Sequence, residues 1–88
     1  MVMLGKSRTL FSIQAKSEAS TLARVLELFI IRGIFYDTMS AKKTEDGMQW
    51  ISLLCCDVED QNADALLNKI RQIVTVQAAQ VETTILSA

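Results

Sequence analysis

The sequence predicts an α+β two-layer sandwich: a four-stranded antiparallel sheet with two helices on one face. Three observations predict it. Apolar residues follow a strand-like pattern in four segments and recur at helical spacing in two others. These segments run strand, helix, strand, strand, helix, strand. A doubled β-α-β order closes an antiparallel sheet and puts both helices on the same side. Finally, 88 residues hold one core and no second one. A single domain over residues 1–88, with its core at about 9–82, is expected.

The first strand is Leu10 to Lys16, where Phe11, Ile13 and Ala15 alternate with Ser12, Gln14 and Lys16. Ser17 and Ser20 then offer capping hydroxyls to a helix that continues through Arg32. Leu22, Val25, Leu26 and Phe29 make its buried face, and Gly33 supplies the left-handed residue that ends it. Ile34 to Lys43, β-branched and aromatic at first and polar later, is read as the second strand. Thr44-Glu45-Asp46-Gly47 is a hairpin loop whose Asp-Gly pair tolerates positive φ. Met48 to Cys56 follows as a strand with two apolar rows, Ile51-Leu53-Cys55 and Trp50-Ser52-Leu54, and so belongs in the middle of the sheet. After the polar stretch Asp57 to Asn62, a second helix carries Ala63, Leu66, Leu67 and Ile70 inward, and Ile73 to Val81 is the fourth strand. This is the ferredoxin-like βαββαβ arrangement. One sheet face is left uncovered, and either row of the third strand can lie on it. An uncovered apolar face is a partner site, and Trp50 on it serves sheet packing or an oligomer contact.

Composition removes several classes of function. Nine bases against ten acids give a net charge of −1, which disfavours nucleic acid and anionic membranes as partners. No apolar run approaches the ~18 residues of a membrane span, and no signal peptide is legible before Thr9, so a cytoplasmic protein is expected. With no His there is no Ser-His triad and no His-ligated metal. The only two cysteines, Cys55 and Cys56, are adjacent on a strand and point to opposite faces, so they cannot share a metal. The turn after the first strand lacks Gly and contains Glu18, which opposes a phosphate cradle. No catalytic residue, metal or cofactor is expected. A domain this small is only marginally stable on its own core, so association with another chain is expected to support it.

One family resemblance emerges from the first helix and its flanks. Leu22, Arg24, Val25, Leu28, Phe29, Arg32 and Gly33 fit the pattern Leu-x-Arg-Val-x-x-Leu-Phe-x-x-Arg-Gly, and Leu67-Asn68-Lys69-Ile70 runs on to Ile73 and Val76 in a second matching block. Both blocks resemble ACT domains, in particular the small regulatory subunit of acetolactate synthase. The resemblance implies a non-catalytic domain that dimerises edge to edge and regulates a large thiamine-diphosphate synthase of branched-chain amino-acid biosynthesis. It also implies an amino-acid effector held between the first loop and the start of the second strand. On this chain the corresponding ligand-binding positions are Ser17, Ser20, Thr21 and Phe35. Ser17, Ser20 and Phe35 stand where feedback-sensitive members have Asn, Gly and Asn. Those departures make the chain similar to the short, feedback-insensitive small subunits and predict weak valine binding or none. Ile34 and Tyr36 are expected at a homodimer seam, because the second strand lies at a sheet edge without a protective Pro. Arg24, Glu27, Ile30 and Ile31 are expected to meet the catalytic partner. The alternative is a free-standing ACT domain that senses another small ligand.

Overall fold

The computed structural model of the chain describes residues 7–85. Six elements follow one another: β1 (Ser7–Lys16), α1 (Ala19–Ile31), β2 (Thr38–Lys43), β3 (Met48–Cys56), α2 (Asp60–Arg71) and β4 (Val76–Ile85). The strands form one antiparallel sheet in the order β2-β3-β1-β4. β1 and β3 are therefore central, and β2 and β4 are the edges.

Strand pairing sorts the side chains onto two faces. Phe11, Ile13 and Ala15 lie opposite Leu53, Ile51 and Gln49, and these rows face the helices. Leu10, Ser12 and Gln14 lie opposite Leu54, Ser52 and Trp50 on the uncovered face. Thus the Trp50 row, not the Ile51 row, is the open one. Val25 and Phe29 of α1 close the core with Ala63, Leu66, Leu67 and Ile70 of α2. Phe11 and Phe29 meet edge to face, ring centres 5.1 Å apart at 79°, a geometry that aligns a ring edge with the partner's negative face.

Several element limits differ from the sequence expectation, each for a local reason. β1 starts earlier, at Ser7, because its first residues pair with both neighbours: Arg8 opposite Cys56 and Ser7 opposite Ile85. β2 starts at Thr38 rather than Ile34. Gly33 adopts φ 67°, its N–H bonds the Ile30 carbonyl, and the Ile34 N–H reaches back to the Phe29 carbonyl. This pair of bonds is the Schellman ending of α1, so Ile34 is still held by the helix, and Ile34 to Asp37 form a connection. The ladder begins only as the Asp37 N–H bonds the Leu54 carbonyl at 2.6 Å. β4 starts at Val76, not Ile73, because the Ile73 N–H folds back on the Ile70 carbonyl and the Val76 N–H on that of Ile73. It then runs past Val81 to Ile85.

The hairpin between β2 and β3 turns at Gly47, φ 80°. There Asp46 accepts from the Thr44 hydroxyl and the Met48 N–H, and the Thr44 bond above all holds its carboxyl below the usual carboxylate range. Among the described residues, no helix is long and apolar enough to cross a membrane.

Candidate functional site

The predicted site residues fall at the two ends of α1. At the N-terminal end the β1–α1 turn is tied down from two sides. Gln49, in the core-facing row of β3 and nearly buried, donates its Nε2 amide to the carbonyls of Lys16 (2.8 Å) and Glu18 (2.9 Å). The Ser17 N–H bonds the carbonyl of Gly47 in the hairpin. From the other side the Lys16 N–H bonds the Thr75 carbonyl, and the Thr75 hydroxyl meets that of Thr21 at 2.5 Å. A buried amide is stable only when its polar atoms are paired, so Gln49 and the turn hold each other in place.

Ser17 and Ser20 do not cap the helix as the sequence suggested. Glu18 is the N-cap, in an extended conformation, and no side chain bonds the first helical N–H groups. Ser20 is exposed, whereas Thr21 is buried with its hydroxyl turned to Thr75. Ser20, Thr21 and Arg24 line a hollow of about 290 Å³ together with Val74 and Thr75. Arg24 is thereby grouped with the turn residues, and Glu27 is exposed further along the helix.

The C-terminal end of α1 is apolar and open. Ile30 is 76 % exposed, Ile31 72 % and Phe35 90 %. Ile30, Ile34, Phe35 and Tyr36 line a groove of about 490 Å³ together with Leu26, Phe29 and Gly33. Ile34 and Tyr36, expected on a strand, lie instead in the connection that follows the Schellman turn, where they join Ile30 and Phe35 on one surface. Phe35, placed by sequence with Ser17 and Ser20, belongs to this apolar end.

Sequence reasoning missed Gln49 and Thr75. For Gln49 a signal existed: it is the one amide in the row Gln49, Ile51, Leu53, Cys55, whose other members are apolar. Thr75 carried none, because its place opposite Thr21 depends on the tertiary fold.

The two thiols are poor nucleophiles. Burial pushes Cys55 up to about 11. Cys56 donates its thiol to Asp37 Oδ2 at 2.7 Å, and that bond raises its pKa. Both are protonated at neutral pH, and the thiolate is the reactive form.

A family model described as an ACT-like domain matches residues 5–88. Solved structures share the fold at low identity. The ACT domain of GTP pyrophosphokinase from Chlorobium tepidum superposes with a TM-score of 0.73 at 12 % identity, covering 85 % of this chain and 96 % of that one. The C-terminal domain of the MgtC protein from Mycobacterium tuberculosis gives a TM-score of 0.75 at 11 % identity, with coverages of 97 % and 95 %. Aspartate kinase from Clostridium acetobutylicum gives 0.71 at 18 % identity, covering 89 % of this chain and 18 % of that one. No curated protein matches the chain. The chain belongs to the ACT-like domain family.

Proposed function

We propose that this chain is a non-catalytic regulatory domain that acts in the cytoplasm as a homodimer bound to a larger catalytic subunit. The partner is a thiamine-diphosphate synthase of branched-chain amino-acid biosynthesis, as for the small subunit of acetolactate synthase. The observation that carries the reading is the apolar surface at the end of α1. Three large apolar side chains close together in the chain, Ile30, Ile31 and Phe35, are more than two-thirds exposed. Contiguous exposed apolar surface marks an interaction site. The choice of partner is supported by the two sequence blocks that resemble the acetolactate synthase small subunit, the first of which ends on this surface at Arg32-Gly33. In the homodimer, Ile34 and Tyr36 lie at the seam beside the unpaired edge of β2.

The test is reconstitution with the purified large synthase subunit from the same genome. A stable complex is expected, with synthase activity raised by the roughly 5–150-fold that a coupling of about 1–3 kcal/mol provides. A synthase that neither binds the chain nor changes in rate overturns the assignment.

A second reading, a free-standing domain that senses a small ligand, is favoured by the turn before α1. No side chain caps that helix, and Ser20 in its first turn is exposed. Raised thermal stability with one amino acid of a panel, in the absence of any synthase, would support this reading over the first.

A further inference from the structure

The uncovered sheet face carries a small hollow far in character from the apolar groove. It measures about 260 Å³ and is lined by Ser12, Gln14, Trp50, Arg71, Ala78 and Gln80, along with backbone of β4. Pairing explains its shape. Trp50 lies opposite Gln14, which lies opposite Ala78, so three strands contribute one row. Ala78 has only a methyl group where a larger residue would fill the row, which leaves a depression between the indole and the β4 edge. The β1–β4 register shifts at Gln14/Ala15, and such irregularities re-aim side chains at the rims of sheets.

Arg71 closes the far wall. It is the last residue of α2, and its Nε and Nη2 both donate to the Ala79 carbonyl, at 3.1 and 2.9 Å. A guanidinium has five N–H groups. Two are spent on the backbone, which fixes the plane, and the outer fork formed by Nη1 and the second Nη2 hydrogen remains. That fork matches a carboxylate in the two-bond geometry that gives Arg its selectivity. No acidic residue lines the hollow. Trp50, 46 % exposed, offers an aromatic face, and Ala78 lies two strand spacings from it, roughly 10 Å. The primary amides of Gln14 and Gln80 complete the lining.

We propose that this hollow binds a small planar carboxylate, its ring against Trp50 and its carboxylate on the outer fork of Arg71. The site lies on the sheet face away from the helices and is independent of the partner surface at the end of α1.

Trp50 is the only tryptophan in the chain, so its fluorescence reports directly on occupancy. The experiment titrates the whole protein with benzoate, benzamide and cyclohexanecarboxylate at constant ionic strength. Benzoate is expected to change Trp50 emission saturably in the millimolar range. Benzamide, which lacks the charge, and cyclohexanecarboxylate, which lacks the flat ring, should each bind roughly tenfold more weakly or worse. Arg71→Gln should abolish the benzoate response while circular dichroism shows the fold retained. Ala78→Leu fills the depression without touching Arg71 and should abolish the response as well, which keeps a test available if the Arg71 variant does not fold. An unsaturable response, equal binding of benzoate and benzamide, or an undiminished response in folded Arg71→Gln or Ala78→Leu overturns the proposal.

Discussion

The two ends of α1 are built by opposite means. At the N-terminal end the chain is polar and tightly bonded: Gln49, Gly47 and Thr75 each hold part of the turn from Lys16 to Thr21. At the C-terminal end a Schellman turn stops the helix, and apolar side chains then point into solvent without covering one another fully. One end spends hydrogen bonds on its own stability. The other leaves apolar surface exposed, with Ile30, Ile31 and Phe35 each more than two-thirds open to solvent. Bonded and exposed surface are thus separated along one helix, so on the proposed function substitutions at the two ends should give different readouts.

The largest effect is expected inside the apolar end itself. Phe29 is 1 % exposed and packs on Phe11, although its neighbour Ile30 is open to solvent. Phe29→Ala should lower stability by about 3–5 kcal/mol, the usual result of a cavity in place of an aromatic side chain, as read from urea denaturation. A small loss would mean that the groove collapses easily and that the boundary between core and surface is not where burial puts it.

Next comes the polar end. Gln49→Leu keeps roughly the size of the side chain but removes its two bonds to the carbonyls of Lys16 and Glu18, which retain only the backbone donors Glu18 N–H and Thr21 N–H. A hydrogen bond contributes about 0.5–1.5 kcal/mol net, so the loss of two predicts about 1–3 kcal/mol in the same assay. Hydrogen exchange should quicken at Ser17 to Thr21 and stay unchanged at Ile30 to Tyr36. Equal acceleration at both ends would abolish the contrast.

Alkali perturbs the sheet beneath both ends. The Cys55 thiol is raised by burial from an ordinary 9.0 to about 11. The unfolded chain therefore releases this proton first. The stabilising contribution is complete below pH 9 and is lost as the pH rises through 11, an effect of order 2 kcal/mol. Comparison of urea midpoints across this range with those of Cys55→Ala isolates it from the other groups that titrate there. Parallel curves for the two proteins would show that Cys55 ionises as freely in the fold as outside it.

The smallest change in stability is expected from Ile30→Ser combined with Ile31→Ser. Exposed sites away from special features move stability by about 0.5 kcal/mol or less. The pair should denature like the parent protein and yet fail to activate the synthase in the reconstitution described above. Loss of the fold would assign both residues to the core.

Which parts of this organisation were legible in advance follows from how local their causes are. The strand rows of Phe11-Ile13-Ala15 and Ile51-Leu53-Cys55 announce themselves by alternation, and Gly33 and the Asp46-Gly47 turn by backbone chemistry confined to a few residues. The start of β2 was misread because Ile34, Phe35 and Tyr36 have strong strand propensity, while the bond from Ile34 back to Phe29 keeps them out of the ladder. The limits of β4 were misread for a similar reason: Ile73 and Val74 look like a strand but complete the turn after α2. At the site, exposure of Ile30 and Ile31 could be expected from helical phase. The grouping of Arg24 with Ser20 and Thr21, and the bonds of Gln49 and Thr75, depend on elements distant in sequence and left only one local sign, an amide in an otherwise apolar row.

The pairing of β1 with β4 bears on how the domain is made and carried. Ser7 lies opposite Ile85 and Arg8 opposite Thr84, so the first strand waits for the last before the sheet can close. During synthesis β1 has β3 as its earliest partner, and its second edge stays open until β4 has emerged from the ribosome. Closure across so long a stretch of chain is an entropically late step. The same pairing brings Ser7 and Ile85, the first and last described residues, within one strand spacing, roughly 5 Å. A larger protein can therefore take up this domain between two adjacent points of its own chain with little disturbance of the host backbone.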